Sequence, residues 1–408
     1  MQYFTHTLSN GIRLVHKPVD SLVAHCGITI NTGSRDEMPT EQGMAHFIEH
    51  LIFKGTRKRK AYHVLSHMEN VGGEINAYTG KEDTCVYASF MHIHYGRCLD
   101  LISDIVFSSA FPEKEIIKEK DVIIDEINSY KDSPGEQIFD DFDSLVYKGH
   151  PLGSNILGTP RHLKKFQRNH ILQFLERNYV ASEMVISSVG KIDFKKLIKL
   201  AERYFGHLPA GHRSVPRQRF SGYQAETKLI KRRNHQVHCV IGNEAYSVDN
   251  EKKTALVLLN NILGGPGLNS RLNMAVREKH GLCYNIESHY QPYSDTGIFS
   301  IYLGTDIEFI DRAVSLVQRE LFRLRDRRLG SLQLKRAKQQ LQGQVAISFE
   351  SNVNEMLSIG KSITLYNKID TLEQINQKIE RVNASELLDV ANEVLDSVNL
   401  SMLMYKPR

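Results

Sequence analysis

Within the segment His46-Phe47-Ile48-Glu49-His50, two histidines and a carboxylate stand in the order H-x-x-E-H. On a helix, residues four apart lie one turn above each other, so His46 and His50 can offer two ring nitrogens to one metal ion. Glu49 follows His46 by three positions and leaves the helix on the same side. This set suits a zinc hydrolase, in which two neutral imidazoles hold the ion and a neighbouring carboxylate takes a proton from water. The order inverts the commoner H-E-x-x-H and is itself a zinc signature. The chain has 18 histidines, so the pentapeptide can also arise by chance, and a hydrogen-bonded pair of core histidines is the plain alternative.

A helix must present these side chains, and the spacing predicts one from Thr40, as N-cap, to a stop at Gly55. Met44, Phe47, Ile48, Leu51 and Ile52 form its apolar body. A catalytic zinc needs three protein ligands and one open position. The best source of the third is the helix predicted over Pro112 to Tyr130. Its Glu119 and Glu126 are seven apart and share a face, and the run Val122-Ile123-Ile124 predicts substantial burial. Buried carboxylates require cations or hydrogen bonds, so we assign Glu126 as the third ligand. Glu119 is assigned to orient a ligating histidine through its other ring nitrogen. An acidic, solvated helix face is the competing reading.

The composition bounds the remaining choices. A chain of 408 residues exceeds one ordinary core and predicts two domains. Its net charge of +5 is small and its basic residues are scattered, which gives nucleic-acid binding little support. The five cysteines (Cys26, Cys85, Cys98, Cys239, Cys283) form an odd set with no C-x-x-C pair, the usage of a reducing, cytoplasmic compartment. No leader precedes the first predicted strand and no run of 18 apolar residues follows, so neither secretion nor membrane spanning is expected. A basic run at positions 54 and 57–60 reads as a solvated loop or a contact for acidic peptide.

Along the chain, alternating strands predicted over Tyr3 to Pro18 turn at Asn10-Gly11. Further strands are predicted at Val23 to Ile30, Glu74 to Thr79, Thr84 to Phe90 and Met184 to Val189. Helices are predicted between them. The class is α+β, two homologous domains each with a mostly antiparallel sheet and helices packed on one face. The Gly-, Pro- and Arg-rich stretch Gly206 to Tyr223 breaks the pattern, which sets a zinc-binding domain at 1–205, a linker at 206–225 and a second domain at 226–408. The second half repeats the first. His25-Cys26 recurs as His238-Cys239, and Val86 to Phe90 as Phe299 to Leu303, both 213 residues on. The repeat has Leu259-Asn260-Asn261 in place of the motif, so one copy alone can hold a metal.

The segments HFIEHLIFKGT, NVGGEINAYTGKEDTCVYASF, EKDVIIDEINSYKDSP and SRLNMAVREKHGLCYNI resemble the pitrilysin (insulinase) family of zinc peptidases, which includes mitochondrial processing peptidase, over nearly the whole chain. The resemblance implies a zinc metalloendopeptidase with one Zn2+ per chain, held by His46, His50 and Glu126. Glu49 is then the general base and Glu119 its site's support. It further implies that Arg277 and Tyr284 stabilise the oxyanion, and that the strand Asn76-Ala77-Tyr78 is an edge to which a peptide or unfolded polypeptide adds. Large family members join four such domains, whereas this chain has two. A homodimer with a composite active site is therefore expected, Arg277 and Tyr284 acting on the other subunit's zinc. A non-catalytic structural or partner subunit of a heterodimer is the alternative.

Overall fold

A computed structural model describes residues 3–408, and in it the chain divides into two compact units. In chain order the elements open with β1 (Phe4–Thr7), β2 (Arg13–Pro18) and β3 (Val23–Ile30), then α1 (Met44–Ile52) and α2 (Ala61–Glu69). The hairpin β4 (Glu74–Thr79) and β5 (Thr84–Met91) leads to α3 (Tyr95–Phe107), α4 (Glu113–Lys131) and α5 (Pro134–Val146). Next come α6 (Pro160–Leu163), α7 (Arg168–Asn178), β6 (Met184–Gly190) and α8 (Phe194–Phe205). The second half comprises β7 (Thr227–Arg232), β8 (Val237–Ala245), α9 (Lys253–Gly264), β9 (Asn285–Pro292) and β10 (Gly297–Thr305). It continues with α10 (Ile310–Asp326), α11 (Ser331–Phe349), α12 (Asn352–Tyr366), α13 (Leu372–Arg381), α14 (Ala384–Val394) and β11 (Ser401–Pro407).

The two sheets repeat one topology. The first has the order β1-β2-β6-β3-β5-β4 and the second β7-β11-β8-β10-β9. Without β1 the two orders correspond strand for strand. Each contains a single parallel pair, β2 with β6 and β7 with β11, in an otherwise antiparallel ladder. The repeat offset is not constant. Ile28 faces Val86 while Ile241 faces Ile301, so strands 213 apart pair with strands 215 apart. A slip of two keeps every side chain on its own face, which is why the inner apolar rows survive it.

Helices cover both faces of each sheet, a correction to the one-face arrangement expected. Ala24, Cys26, Ile28 and Ile30 of β3 join Met184 and Ile186 of β6 under α1, α3 and α8. Alternation sends Val185 and Val189 to the opposite face. There they meet Val15, Met356, Ile359 and Ile363, the last three from α12. A Cβ at Gly360 would lie 2.8 Å from Thr29 Oγ1, so glycine allows α12 to lie this close. Lys17 of β2 pairs with buried Glu355, which also accepts from Tyr3 OH at 2.8 Å. In the second unit α5 plays the same part. Its Ile138 and Phe142 pack with Val240, Leu403 and Tyr405, and Arg232 donates to Asp141 at 3.0 Å while covering the Tyr405 ring.

The units are consequently not continuous in sequence. The first is Met1–Asn128, Ser154–Gln218 and Ile347–Ile369; the second is Ser129–Gly153, Arg219–Ala346 and Asp370–Arg408. Their main boundary, between Gln218 and Arg219, falls inside the 206–225 stretch, but the contiguous domains 1–205 and 226–408 each lack the helix that closes their sheet. Among the described residues no helix is long and apolar enough to cross a membrane. All five cysteines are free and buried.

Candidate metal centre and active site

Buried Met44, Ala45, Phe47, Ile48, Leu51 and Ile52 fix α1 in the core of the first unit, which leaves one stripe for His46, Glu49 and His50. The helix begins later than the Thr40 cap expected. Its N-cap is Gly43, at φ 94°, and no side chain of the cap residue closes it. The α4 helix runs past the same stripe with Ile116, Glu119, Ile123 and Ile127 buried. Val122 is exposed, so α4 is buried on one face only.

The two helices bring together His46, His50 and Glu126. His46 Nε2 lies 3.8 Å from Glu126 Oε1, and His50 Nε2 lies 3.6 Å from Glu126 Oε2. One donor atom from each lies within 4.8 Å of the other two, the only such group among the described residues. Those separations are too long for hydrogen bonds. They suit donors arranged about one ion at about 2.0–2.2 Å from each, and two imidazoles with one carboxylate form a hydrolytic zinc set. The residues fit the metal.

The surrounding groups hold this set in place. His50 Nδ1 donates to Glu119 Oε2 at 3.2 Å, which directs Nε2 toward Glu126. Lys54 Nζ reaches the other Glu119 oxygen at 2.8 Å. The two carboxylates differ in exposure, with 2% of the Glu119 side chain accessible against 43% for Glu126. The expected buried pair is therefore one buried carboxylate, Glu119, and one open carboxylate, Glu126. Burial, with a smaller contribution from His50, pushes the His46 imidazole down to about 4, so it is neutral and its lone pair is available at pH 7. Burial also raises Glu49 above the usual carboxylate range, opposed by Thr79 and His50 and reinforced by Glu126. A carboxylate raised toward neutrality is a better base.

Asn76, Ala77 and Tyr78 lie on β4, the last strand of the first sheet, paired on one side with Tyr87, Val86 and Cys85. Tyr78 OH donates to Asp83 Oδ2 at 3.0 Å within its own hairpin. The strand therefore offers main-chain groups at its outer edge. Arg277 and Tyr284 are in the second unit. Arg277 is on a π-helical turn, Asn273–Glu278, and pairs loosely with Glu278 at 3.9 Å. Tyr284 is 72% exposed just before β9.

Two residues of the site had no sequence signal of their role. Lys54 belongs to a basic run that reads as solvent-facing, yet its partner Glu119 is on a distant helix; Arg59 of that run is likewise paired, with Asp100 and Asp104. Glu37 precedes α1 in a loop, and its carboxylate accepts N–H groups from the first turn of that helix.

Residues 14–160, which contain α1, β4 and α4, match the model of the insulinase family, peptidase family M16. Residues 165–341 match that of the peptidase M16 inactive domain. A Bacillus subtilis protein described as an uncharacterised zinc protease is 34% identical over 371 residues, 90% of either chain. The chain belongs to peptidase family M16. A second M16 relative, an uncharacterised zinc protease of Rickettsia bellii, is 33% identical over 90% of this chain and 89% of its own. The M16 fold extends to solved structures. A protease from Helicobacter pylori superposes with a TM-score of 0.91 at 22% identity, covering 100% of this chain and 99% of that one. A peptidase M16 inactive domain from Pseudomonas fluorescens gives 0.93 at 20%, covering 100% and 98%.

Proposed function

We propose that this M16 chain is a zinc-dependent endopeptidase that hydrolyses peptides or unfolded polypeptides. The observation that carries the reading is the convergence of His46, His50 and Glu126 beside Glu49. His46, His50 and Glu126 would hold one zinc per chain. Bound there, zinc supplies Lewis acidity, bringing the pKa of water from 15.7 toward about 7. Glu49 takes the proton as the water oxygen adds to the peptide carbonyl carbon. It then delivers that proton to the leaving nitrogen as the C–N bond breaks, so the carboxylate ends the cycle as it began.

The outer edge of β4 at Asn76, Ala77 and Tyr78 would pair with substrate main chain, a grip that reads little of the side chains. Thr79, at the end of that strand, lies beside Glu49, which supports the edge as the route by which a peptide bond reaches the base. Arg277 and Tyr284 would stabilise the oxyanion; both are exposed, and Arg277 lies on a π-turn, a feature that concentrates at functional sites. We assign them to act on the zinc site of a second copy in a cytoplasmic homodimer. A second reading, a non-catalytic partner subunit, draws on the inactive-domain match at 165–341.

Digestion of a peptide library with and without a chelator tests the function. Cleavage abolished by chelation and restored by zinc supports it; no cleavage by the zinc-loaded protein would leave the partner-subunit reading. Mixing Glu49→Gln chains with Tyr284→Phe chains tests action in trans. One intact composite site should restore part of the activity, and no recovery despite demonstrated subunit exchange overturns the assignment.

A further inference from the structure

α1 is short for an element that must hold three reactive side chains in register. At nine residues it falls below the length at which an isolated helix is stable, so its orientation is imposed by its surroundings. Gly43 at its N-cap adopts a left-handed φ of 94° and provides no side-chain oxygen for the first turn. That office falls to Glu37, six residues earlier. Glu37 Oε2 accepts the Gly43 N–H and Oε1 accepts the Ala45 N–H, both at 2.9 Å. The residue after Ala45 is His46.

The loop carrying Glu37 is itself held on two sides within the first unit. The Ser34 and Arg35 N–H groups donate to Gly80 O and Lys81 O, at 3.1 and 2.8 Å, in the β4–β5 turn. The buried Arg35 guanidinium donates to Glu82 Oε1 at 2.6 Å. Asp36 accepts from Arg213 at 2.6 Å and from Arg217 at 2.8 Å. Three successive residues thus reach three parts of the unit: Arg35 the hairpin of the edge strand, Asp36 the segment leading to Gln218, and Glu37 the motif helix. A carboxylate buried this completely is costly unless its bonds are required. Glu37 takes no part in the proton transfers assigned to Glu49, and its bonds go to the backbone of α1 alone.

We propose that Glu37 is a positioning residue for metal binding, whose two-pronged hold on the Gly43 and Ala45 amides sets the angle at which α1 presents His46 and His50 to Glu126. The proposal rests on the metal-centre reading above. Glu37→Gln is the matching variant: it keeps the size, but its amide nitrogen is turned against one of the two N–H groups. With the fold verified by circular dichroism and at a temperature well below unfolding, the variant should bind zinc 10- to 100-fold more weakly, in competition with a chelating fluorophore, than the wild type. A residue that served stability alone would lower the melting temperature and leave zinc affinity unchanged, and that result overturns the proposal.

Hydrogen exchange on the metal-free wild type gives a second measurement that requires no variant to fold. The Gly43 and Ala45 amides, which have no place in the regular i to i−4 ladder, should be protected well beyond loop rates. Exchange at loop rates there also overturns the proposal. If the wild type itself fails to bind zinc while these amides are protected, the metal-centre reading fails and the anchoring of α1 by Glu37 stands, so the two failures are distinguishable.

Discussion

At the offset that relates β3 to β8, the positions held by His46, Glu49 and His50 in α1 are Leu259, Ile262 and Leu263 in α9. No histidine, cysteine or acidic residue occurs anywhere in α9, and α11, the long helix that precedes the exchanged helix as α4 does in the first unit, contains no acidic residue. Leu259 and Leu263 are fully packed. The same contrast recurs in the sheets. His16 on β2 faces Ser188 on β6, whereas Leu229 on β7 faces Met404 on β11. One topology therefore folds with polar groups in these places or without them. The imidazoles of α1 and the carboxylate of Glu126 are thus not requirements of the fold, and for these three groups a bound metal would offset the cost of desolvation.

Giving α1 the leucines of α9 makes the sharpest test. The double change His46→Leu and His50→Leu should abolish zinc binding and all peptidase activity. The metal-free variant should melt no lower than the metal-free wild type, because two imidazoles are exchanged for apolar side chains the same fold already accommodates. Zinc content by elemental analysis and calorimetry check both halves. A large loss of metal-free stability would mean that the histidines are structural, and would break the comparison.

A smaller effect follows from Glu49 alone. Glu49→Gln should retain stoichiometric zinc while turnover falls by about 10²–10⁴-fold, the usual contribution of a general base. Turnover near the wild-type level would remove Glu49 from the mechanism. The smallest effect distinguishes the sheets. Burial pushes the His16 imidazole down to about 4 from an ordinary value of 6.5. Between those pH values the unfolded chain binds the proton and the folded chain does not, so the stability this group contributes is complete above pH 6.5 and is lost as pH falls toward 4. The full loss is about 3 kcal/mol. His25 and His238 occupy equivalent strand positions and are both lowered by burial, so that pair does not separate the units. His16→Leu, which installs the residue of β7, should flatten the denaturation midpoint across this window.

The part of this architecture that lies in local pattern could be read from sequence. Strand alternation and the Asn10-Gly11 turn located β1 and β2, and the recurrence of His25-Cys26 as His238-Cys239 located the duplication. The spacing of His46 and His50 with the Glu119–Glu126 step pointed to the cluster the structure brings together. What could not be read depends on partners remote in sequence. The amphipathic faces of α5 and α12 state that each helix must be buried, but not against which sheet. Lys54 and Glu37 look like surface charges until α4 and α1 are folded against them. The two-residue slip in the second sheet preserves every inside-outside alternation, so it leaves no trace in the pattern.

The exchange of α5 and α12 sets the order in which the chain can mature during synthesis. The strand of the first sheet that is synthesised last, β6, ends at Gly190, but the helix that covers the second face of that sheet begins at Asn352. At ordinary elongation speeds that interval lasts on the order of 10–30 s. Throughout it, Val15, Val185 and Val189 wait without their lid. Meanwhile α5 has left the ribosome before any strand of its own sheet exists. Neither unit can complete its packing alone, so the nascent chain presents two apolar surfaces at once until Tyr366 has emerged. For the same reason, cleavage of the gene at the 206–225 stretch should yield two fragments that fold only when supplied together.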